Sequence, residues 1–520
     1  MKLSPKKQLL LFFLGCLVFF SVLQFSFSGY LGHDAYYHSR VAQMIKETGG
    51  LLQSFPWLQY TILRDQFVEH HLLLHVVTIP FVSLLPPIFG GKLFTVLTAA
   101  LMATTFYWLL QKLTVKSPWL WSLLLLFSSS AFIFRLNLFR AQNLALLFLF
   151  LGTYALVKRQ RILLLVITFL YVWLFDGFIF LGLVAGIYAL VDIVWYFQKN
   201  KKRQIKKVLT ALTPLVIFGG GMIISSLLNP YFPYNIKHLY FHLYRVALHN
   251  SFSNLPVGGE WAGATPDDLL KSSLFIIILY IISLTLVVIQ LINKKVGRPH
   301  RLDYFFLITA TGFLLLTFVA QRLIEYCVPF VILAAASILS RFWVKYQAQI
   351  KKVFTEIIDR KSRKQLPIII ILAIFLTLYV SFIPIGNIDQ MRKYVTTHTD
   401  GYREAALWLH DNTPAQSIIY HIDWGDFPFL FYYNPQNYYI GGLDPNFMLE
   451  YDQNVFDKWN KIFHQEELQR MYSVVKYDFR ADYMLVTDKF PEIQIYTQED
   501  PRFEEVYQVG KVKIYHLKDY

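Results

Sequence analysis

The chain has 520 residues, of which 55% are apolar and only 16% charged, and its mean hydropathy is +0.41. Soluble proteins are nearer a quarter charged, so this composition excludes an ordinary soluble fold. The net charge of +15 resides in short loops between apolar runs, which indicates membrane topology rather than a nucleic-acid-binding surface. Two cysteines exclude a disulfide framework and a thiolate zinc cluster.

Apolar runs recur along the first 390 residues, and most have the length of roughly 16–23 residues needed to cross a hydrocarbon core. Eleven of them predict membrane spans, the first of which we expect to be retained rather than cleaved. They are residues 9–27, 92–110, 119–134, 141–157, 162–175, 178–197, 208–228, 272–292, 304–320, 323–339 and 366–384.

Basic residues between the spans predict which connections face the cytoplasm. The basic loops are residues 112–116, 158–161, 199–207, 294–301 and 341–364. An even number of crossings separates each consecutive pair of these loops. One apolar stretch, residues 72–85, does not fit this parity and contains Pro80, so we predict a juxtamembrane or re-entrant segment there. If it crosses, the chain has twelve spans.

The last 120 residues differ in charge from the rest. Residues 401–520 carry 19 acids and 11 bases, whereas the first 400 carry 15 acids and 38 bases. Their pattern predicts helices at 402–410 and 454–471, strands at 417–422 and 483–487, and a hairpin from 503–508 to 511–517. We therefore predict a polytopic α-helical membrane domain over residues 1–392 and a soluble extracytoplasmic α/β domain over residues 397–520.

Asp34 follows the first span within a few residues. A carboxylate close to the membrane is unfavourable without a partner or a purpose, so Asp34 is a candidate general base or metal ligand. The alternative is a solvated loop acid paired with Arg40.

Histidines cluster before the stretch 72–85. His71 and His75 share one helix face, and Glu69 and His70 precede them. Together with Asp34, Glu69 and His70 are candidate ligands for a divalent cation such as Mg²⁺ or Mn²⁺. The alternative is a set of interfacial histidines held by hydrogen bonds.

Three arginines also lie in predicted external connections. Arg135, Arg140 and Arg322 are candidates for binding phosphate oxygens, although lipid headgroups would satisfy a single arginine equally well. Glu260 follows two glycines in a long loop, where a mobile segment would bring a carboxylate to the site. Asp176 is interpreted either as part of the site or as a turn-forming residue.

These elements, in this order, resemble the membrane-embedded GT-C glycosyltransferases, and among them the catalytic subunit of oligosaccharyltransferase. Segment 34–40 reads DAYYHSR and is similar to the family's DPYYHxR, in which the acid closes the first span. The resemblance implies that Asp34 and Glu260 are catalytic. It also implies that Arg322 supports donor binding, and we expect Arg135, Arg140 and Arg40 to be further ligands of the donor phosphate.

The sequence departs from the family pattern at two places, and these departures change the metal ligands and the acceptor that we expect. The second external connection, residues 135–140, lacks the family's acidic pair, which moves the expected metal ligands toward Glu69 and His70. The acceptor signature WWDYG is replaced by DWGDFP at residues 423–428, in which Asp423, Trp424 and Asp426 are the candidate acceptor residues. We therefore expect a bacterial relative whose protein or glycan acceptor is not the usual Asn-x-Ser/Thr peptide.

The function predicted on this basis is inverting transfer of a sugar or oligosaccharide from a polyprenyl-phosphate or -pyrophosphate donor. It would take place at the outer face of the plasma membrane. No nucleotide-binding motif is present, so no nucleotide cofactor is expected. The alternatives are a transporter or lipid flippase of a cell-envelope glycan pathway, with charges at mid-span and repeated halves, and a non-enzymatic anchor for the outer domain.

Overall fold

A computed structural model describes residues 3–199, 205–249, 257–293, 296–358, 383, 385–399 and 401–519. The N-terminal part is helical. Its helices are α1 Pro5–Gln24, α2 Asp34–Thr48, α3 Leu72–Leu84, α4 Pro87–Lys112, α5 Pro118–Phe127, α6 Ser130–Leu136, α7 Gln142–Lys158, α8 Arg161–Leu174, α9 Ile179–Lys199, α10 Ile205–Leu227, α11 Tyr234–Phe241, α12 Pro266–Ile292, α13 Arg301–Thr317 and α14 Ile324–Ile358. Residues 385–399 are also helical.

Within the described part of the chain, six helical segments are long and apolar enough to cross a membrane. They are Pro5–Gln24, Pro87–Lys112, Asp176–Gln198, Ile205–Leu227, Pro266–Ile292 and Gln321–Ala348. Shorter apolar helices, α3, α7 and α8, lie among them. The predicted last span, residues 366–384, falls almost entirely outside the described residues.

The predicted span 119–134 is not one straight helix. It consists of α5 and α6, which meet at an angle of 86°. The break lies at Ser128 and Ser129, where the Ser129 hydroxyl accepts the backbone N–H of Phe132 and begins a new helix. Arg135 lies near the end of α6, shortly before the turn that carries Arg140.

The ambiguous stretch 72–85 forms α3, which contains Pro80. Its 13 residues extend about 20 Å, short of the roughly 30 Å of a hydrocarbon core. The helix packs against α4 so closely that a Cβ on Gly90 would collide with the backbone oxygen of Phe81. The length agrees with a segment that does not cross the membrane by itself.

The C-terminal domain is built on a mixed sheet. Its strands in the described residues are β1 Ile418–His421, β2 Tyr438–Tyr439, β3 Tyr483–Thr487, β4 Phe503–Val509 and β5 Val512–Leu517, in the order β2-β1-β3-β5-β4. The pairs of β1 with β2 and β3 are parallel, and β5 pairs antiparallel with β3 and β4. The helices are α15 Tyr402–Asn412, α16 Phe427–Tyr433, α17 Asn446–Tyr451, α18 Gln453–Phe463 and α19 Pro491–Glu499.

The predicted α/β architecture and closing hairpin are confirmed, although helices α16, α17 and α19 were not predicted. The helix predicted over 454–471 ends at Phe463, because Gln465 and Glu467 adopt positive φ angles that a helix cannot contain. Strand β2 was missed because two residues are too short for a periodic pattern.

The end of the first span is held by a buried lysine. The ammonium of Lys92, near the start of α4, donates to the backbone oxygens of Gln24, at 3.1 Å, and Phe27, at 2.5 Å. It also lies 4.2 Å from the centre of the Phe27 ring. A positive charge at the C-terminal end of a helix is favourable, so Lys92 fixes the exit of α1 toward α2.

Replacing Lys92 with Met should therefore destabilise the helical domain by about 1–3 kcal/mol, because two carbonyls lose their common charged donor. Thermal unfolding of the purified protein in detergent measures this. Lys271→Met is the matched control, since the Lys271 side chain is 75% exposed. Equal melting temperatures for both variants and the wild type would show that Lys92 does not hold this helix end.

Candidate functional site

Five predicted site residues from four separate regions of the chain meet in one ionic cluster. Asp34 is the first residue of α2, Arg135 lies in α6 and Arg140 precedes α7. Glu260 lies in a 3-10 turn, Gly259–Trp261, and Arg322 in another, Gln321–Leu323. We call these five residues the acid–arginine cluster.

Arg140 joins the two predicted catalytic acids. Its Nη2 lies 2.7 Å from Oδ2 of Asp34, and its Nη1 lies 2.9 Å from Oε2 of Glu260. The planar guanidinium suits this bridging arrangement, because its donors point in fixed directions. The Asp34 side chain keeps 38% of its surface exposed, so one face of the carboxylate remains accessible.

Glu260 contacts all three arginines. Besides Arg140, it is 3.3 Å from Nη1 of Arg135 and 3.2 Å from Nη1 of Arg322. Burial by itself raises the pKa of Glu260, but the three guanidinium groups outweigh it and hold the pKa well below its usual range. Glu260 is therefore ionised and is the shared counter-ion of the three arginines.

The loop that carries Glu260 is docked on the turn between α13 and α14. The amide of Gln321 donates to the oxygen of Ala262 at 2.8 Å, and its side chain donates to the oxygen of Gly259 at 2.5 Å. The Arg322 guanidinium stacks over the ring of Trp261 at 4.5 Å. These contacts hold Glu260 beside Arg322.

A sixth charged residue belongs to this site and was not assigned a role from the sequence. Glu325, in α14, is 1% exposed and its carboxylate lies 2.8 Å from Nε of Arg135. An acid inside an apolar span, three residues after an arginine, is the signal that would have identified it. Tyr394, in the segment 385–399, was also assigned no role from the sequence, and its ring centre lies 6.4 Å from that of His33 and 4.1 Å from that of His398.

One buried donor in the cluster is available. Within the described residues, Nη2 of Arg135 has no hydrogen-bond partner. An unsatisfied buried donor of this kind is unfavourable by about 1–3 kcal/mol, and more when charged, unless a ligand accepts from it. The position therefore suits an anion such as a phosphate oxygen.

Arg40, predicted to help bind the donor phosphate, does not join the cluster. Its guanidinium pairs with Glu47, at 2.9 Å, about two turns further along α2. A spacing of seven residues places both side chains on the same face of the helix, where two long side chains can reach each other.

A divalent cation does not fit between Asp34 and Glu260, because the Arg140 guanidinium already bridges these two carboxylates. The predicted trio of Asp34, Glu69 and His70 does not form either. Glu69 and His70 lie in a possible ligand group with His71, whereas Asp34 is paired with Arg140. Imidazole-rich donor sets suit Zn²⁺, Cu²⁺ or Ni²⁺ better than Mg²⁺ or Mn²⁺, which prefer oxygen ligands.

Glu69 has partners of its own. Its carboxylate lies 3.0 Å from Nδ1 of His75 and accepts the backbone N–H of His71 at 3.0 Å. His75 in turn hydrogen-bonds His38 at 2.8 Å. The alternative interpretation, histidines held by hydrogen bonds, therefore applies to His38 and His75. These contacts do not include His70.

The predicted acceptor motif touches the first external segment. The imidazole of His33, next to Asp34, donates from Nδ1 to the oxygen of Gly425 at 3.0 Å. Burial, and secondarily the charge of Lys489, lower the pKa of His33 to about 4, so the ring is neutral. The turn Trp424–Asp426 is thereby fastened beside Asp34.

Lys489 pairs with both acids of this motif. Its ammonium lies 2.7 Å from Oδ2 of Asp423 and 3.9 Å from Oδ1 of Asp426, which also accepts the hydroxyl of Tyr402 at 2.5 Å. Burial and the neighbouring Asp423 raise the pKa of Asp426 to about 8. Asp426 is therefore a buried structural acid, 2% exposed, while Asp423 is the more accessible of the two.

The indole of Trp424, the first residue of this turn, reaches the loop that carries Glu260. A Cβ on Gly258 would be 3.8 Å from Cη2 of the indole. The candidate acceptor residue is thus adjacent to the loop that closes the acid–arginine cluster, which the sequence could not show.

The raised pKa of Asp426 predicts a pH-dependent stability. Because its folded pKa lies above the unfolded value of about 3.9, its stabilising contribution is complete below pH 4 and is lost as pH rises through about 8. Asp426→Asn should therefore gain about 1–3 kcal/mol relative to the wild type between pH 6 and pH 9. Thermal unfolding of both proteins across this range tests it, with Asp411→Asn as an exposed control. A difference between variant and wild type that does not change with pH would contradict the assignment.

Solved structures share this architecture. The oligosaccharyltransferase of Archaeoglobus fulgidus in its apo form matches with a TM-score of 0.65 at 10% identity, over 99% of this chain and 75% of that one. The archaeal oligosaccharyltransferase AglB from the same organism, in complex with an inhibitory peptide and a dolichol-phosphate, matches with a TM-score of 0.64 at 11% identity and the same coverage. ArnT from Cupriavidus metallidurans in the apo state matches with a TM-score of 0.54 at 11% identity, over 98% of each chain.

No family model and no curated protein sequence matches the chain. The likeness is therefore one of fold, over almost the full length and at low identity. It confirms the predicted fold class, a helical domain with span-length apolar helices followed by a small α/β domain: the chain has the GT-C fold of these structures.

Proposed function

We propose that the protein is a glycosyltransferase that moves a sugar or oligosaccharide from a polyprenyl-phosphate or -pyrophosphate donor to an acceptor. The observation that carries the proposal is the acid–arginine cluster, in which Asp34 and Glu260 meet on one guanidinium. A partly exposed carboxylate beside three permanent positive charges is what attack on a phosphate-linked sugar requires. The GT-C fold supports the lipid-linked donor, because the related AglB structure holds a dolichol-phosphate.

In this mechanism the exposed face of Asp34 accepts the proton of the acceptor nucleophile as that atom attacks the anomeric carbon. The bond between the anomeric carbon and the phosphate oxygen breaks, and the configuration inverts. Arg140 holds the carboxylate at 2.7 Å and orients it toward the acceptor. No step is assigned to Mg²⁺ or Mn²⁺.

The departing phosphate gains negative charge, which fixed donors stabilise best in a site shielded from water. Arg135 and Arg322 are 11% and 12% exposed, and Arg135 retains an unpaired Nη2 among the described contacts. Each guanidinium has five N–H donors, so contact with Glu260 leaves others for phosphate. Glu260 gathers the three arginines and keeps them from repelling one another.

The acceptor would approach from the C-terminal domain, because the turn containing Trp424 is fastened to His33 and lies beside Gly258. We propose that the helical part through residue 392 binds the donor. The domain from residue 397 would present a protein or glycan acceptor on the extracytoplasmic side of the plasma membrane.

Sugar transfer by purified protein in nanodiscs tests the proposal, with a panel of radiolabelled polyprenyl-phosphate and -pyrophosphate sugars. Asp34→Asn should reduce turnover about 10²–10⁴-fold, because the base is lost while the side chain keeps its shape. Asp65→Asn is the matched control, since Asp65 follows in the same connection and its side chain is 69% exposed. Undiminished turnover by a folded Asp34→Asn variant would remove Asp34 from the mechanism.

Arg322 has a separate expected effect. Arg322→Ala should lower kcat about 10²–10³-fold, because the leaving phosphate loses a fixed donor. Arg322→Lys should recover only part of this loss, since an ammonium lacks the planar fork. The control is Arg470→Ala, whose side chain is 74% exposed. Full activity in Arg322→Lys would indicate that positive charge alone matters at this position.

A further inference from the structure

Three histidines outside the acid–arginine cluster converge on one point. His70 immediately precedes His71 and α3, His238 lies in α11, and His242 begins the π-helical turn that continues it. One ring nitrogen from each lies within 4.8 Å of the other two. The ring centres are 5.1 Å apart for His70 and His238, 4.6 Å for His70 and His242, and 4.3 Å for His238 and His242.

Two of these rings have a nitrogen that no protein group satisfies. His238 is 7% exposed, and within the described residues neither its Nε2 nor the buried Nε2 of His242 has a hydrogen-bond partner. Buried polar atoms are nearly always paired, with protein, water or an ion. Two unpaired imidazole nitrogens beside a third imidazole are therefore a reason to expect a ligand.

A carboxylate lies beside one of the rings. Oδ2 of Asp176 lies 2.9 Å from Nδ1 of His242, and within the described residues this oxygen has no hydrogen-bond partner. A small rotation of the ring would let the carboxylate accept the N–H of Nδ1 and leave Nε2 as a lone-pair donor, which is how metal-bound histidines are usually held. The sequence left Asp176 as either a turn residue or part of a site, and this contact gives it a specific partner.

The donor set selects the kind of ion. Three neutral imidazoles suit Zn²⁺ and related transition metals, whereas Mg²⁺ and Ca²⁺ prefer oxygen ligands. Nitrogens bound to a tetrahedral zinc at about 2.0–2.1 Å lie about 3.4 Å apart. Small ring rotations bring nitrogens now within 4.8 Å of one another to that spacing.

We propose that His70, His238 and His242 form a binding site for a zinc-class divalent transition ion, with Asp176 as the outer carboxylate that orients His242. The fourth coordination position is open to water or to a ligand. This site is separate from the acid–arginine cluster and does not depend on the proposed transferase activity.

The ion would lie beside the contact between this connection and the C-terminal domain, which also includes the ion pair of Arg245 with Glu450 at 3.9 Å. Phe447 of the C-terminal domain stacks on His238 with ring centres 6.1 Å apart and on Phe241 at 5.3 Å. His238 and His242 belong to the connection that later carries Glu260. Metal binding would fix the first half of that connection against the start of α3 and against the C-terminal domain.

Binding of the metal alone to the full chain tests the proposal. Metal-stripped protein in detergent is titrated with Zn²⁺ by calorimetry and with Co²⁺, whose visible absorption bands report tetrahedral nitrogen coordination. We expect one ion per chain and a higher melting temperature with Zn²⁺. His238→Gln and His242→Gln should abolish both, and Asp176→Asn should weaken binding about 10–100-fold while the fold is kept.

His464→Ala is the matched control, because this histidine lies at the exposed end of α18 and donates a local hydrogen bond from Nδ1 to the backbone oxygen of Asn460. It should bind Zn²⁺ like the wild type. Unchanged stoichiometry in folded His238→Gln and His242→Gln would overturn the proposal. So would the failure of folded wild-type protein to bind Zn²⁺ or Co²⁺ at micromolar concentrations.

Discussion

The guanidinium of Arg140, bridging Asp34 and Glu260, is the contact on which the rest of the site depends. Charges near a membrane are stable only when they are paired and hydrogen-bonded. Asp34, at the start of α2, and Glu260, in a distant loop, would each be unfavourable alone. The arginine between them satisfies both, and it ties the first external segment to the long loop.

The cluster is also balanced in charge. Three arginines face three carboxylates, since Glu325 pairs with Arg135 from within α14. Balance of this kind lets a densely charged site persist where water is scarce, because every ion has a counter-ion within hydrogen-bond distance. In the proposed reaction, the donor phosphate would be met by groups already in position, which requires little reorganisation.

The C-terminal domain is attached to the helical domain next to the C-terminal end of α1. Lys92 fixes the exit of the first helix, His33 then binds the turn at Gly425, and Asp34 begins α2 directly afterwards. A single short segment therefore connects the membrane helices, the candidate base and the candidate acceptor motif. The aromatic contact between Tyr36 and Phe429, with ring centres 4.6 Å apart, extends this junction.

The sequence by itself determined the class of the protein and the identity of most residues in the cluster. Apolar runs of span length and basic loops indicate which segments lie in lipid and which in water, so the helical membrane domain could be predicted. The acidic tail likewise indicated a soluble α/β domain. An ionisable residue near the membrane is energetically unfavourable without a partner or a purpose. This argument singled out Asp34, Arg135, Arg140, Glu260 and Arg322. Arg40 was grouped with them, but its nearest acid lies on its own helix.

Only the tertiary structure decided which of these charges meet. The bend at Ser129, the docking of Gln321 on Ala262 and the pairing of Arg140 with two acids are contacts between residues far apart in the chain. Local patterns carry no information about such distances, because periodicity reports which face of an element is buried and not what covers it. The same reason explains why His70 was noticed alone, whereas its convergence with His238, His242 and Asp176 appears only in three dimensions.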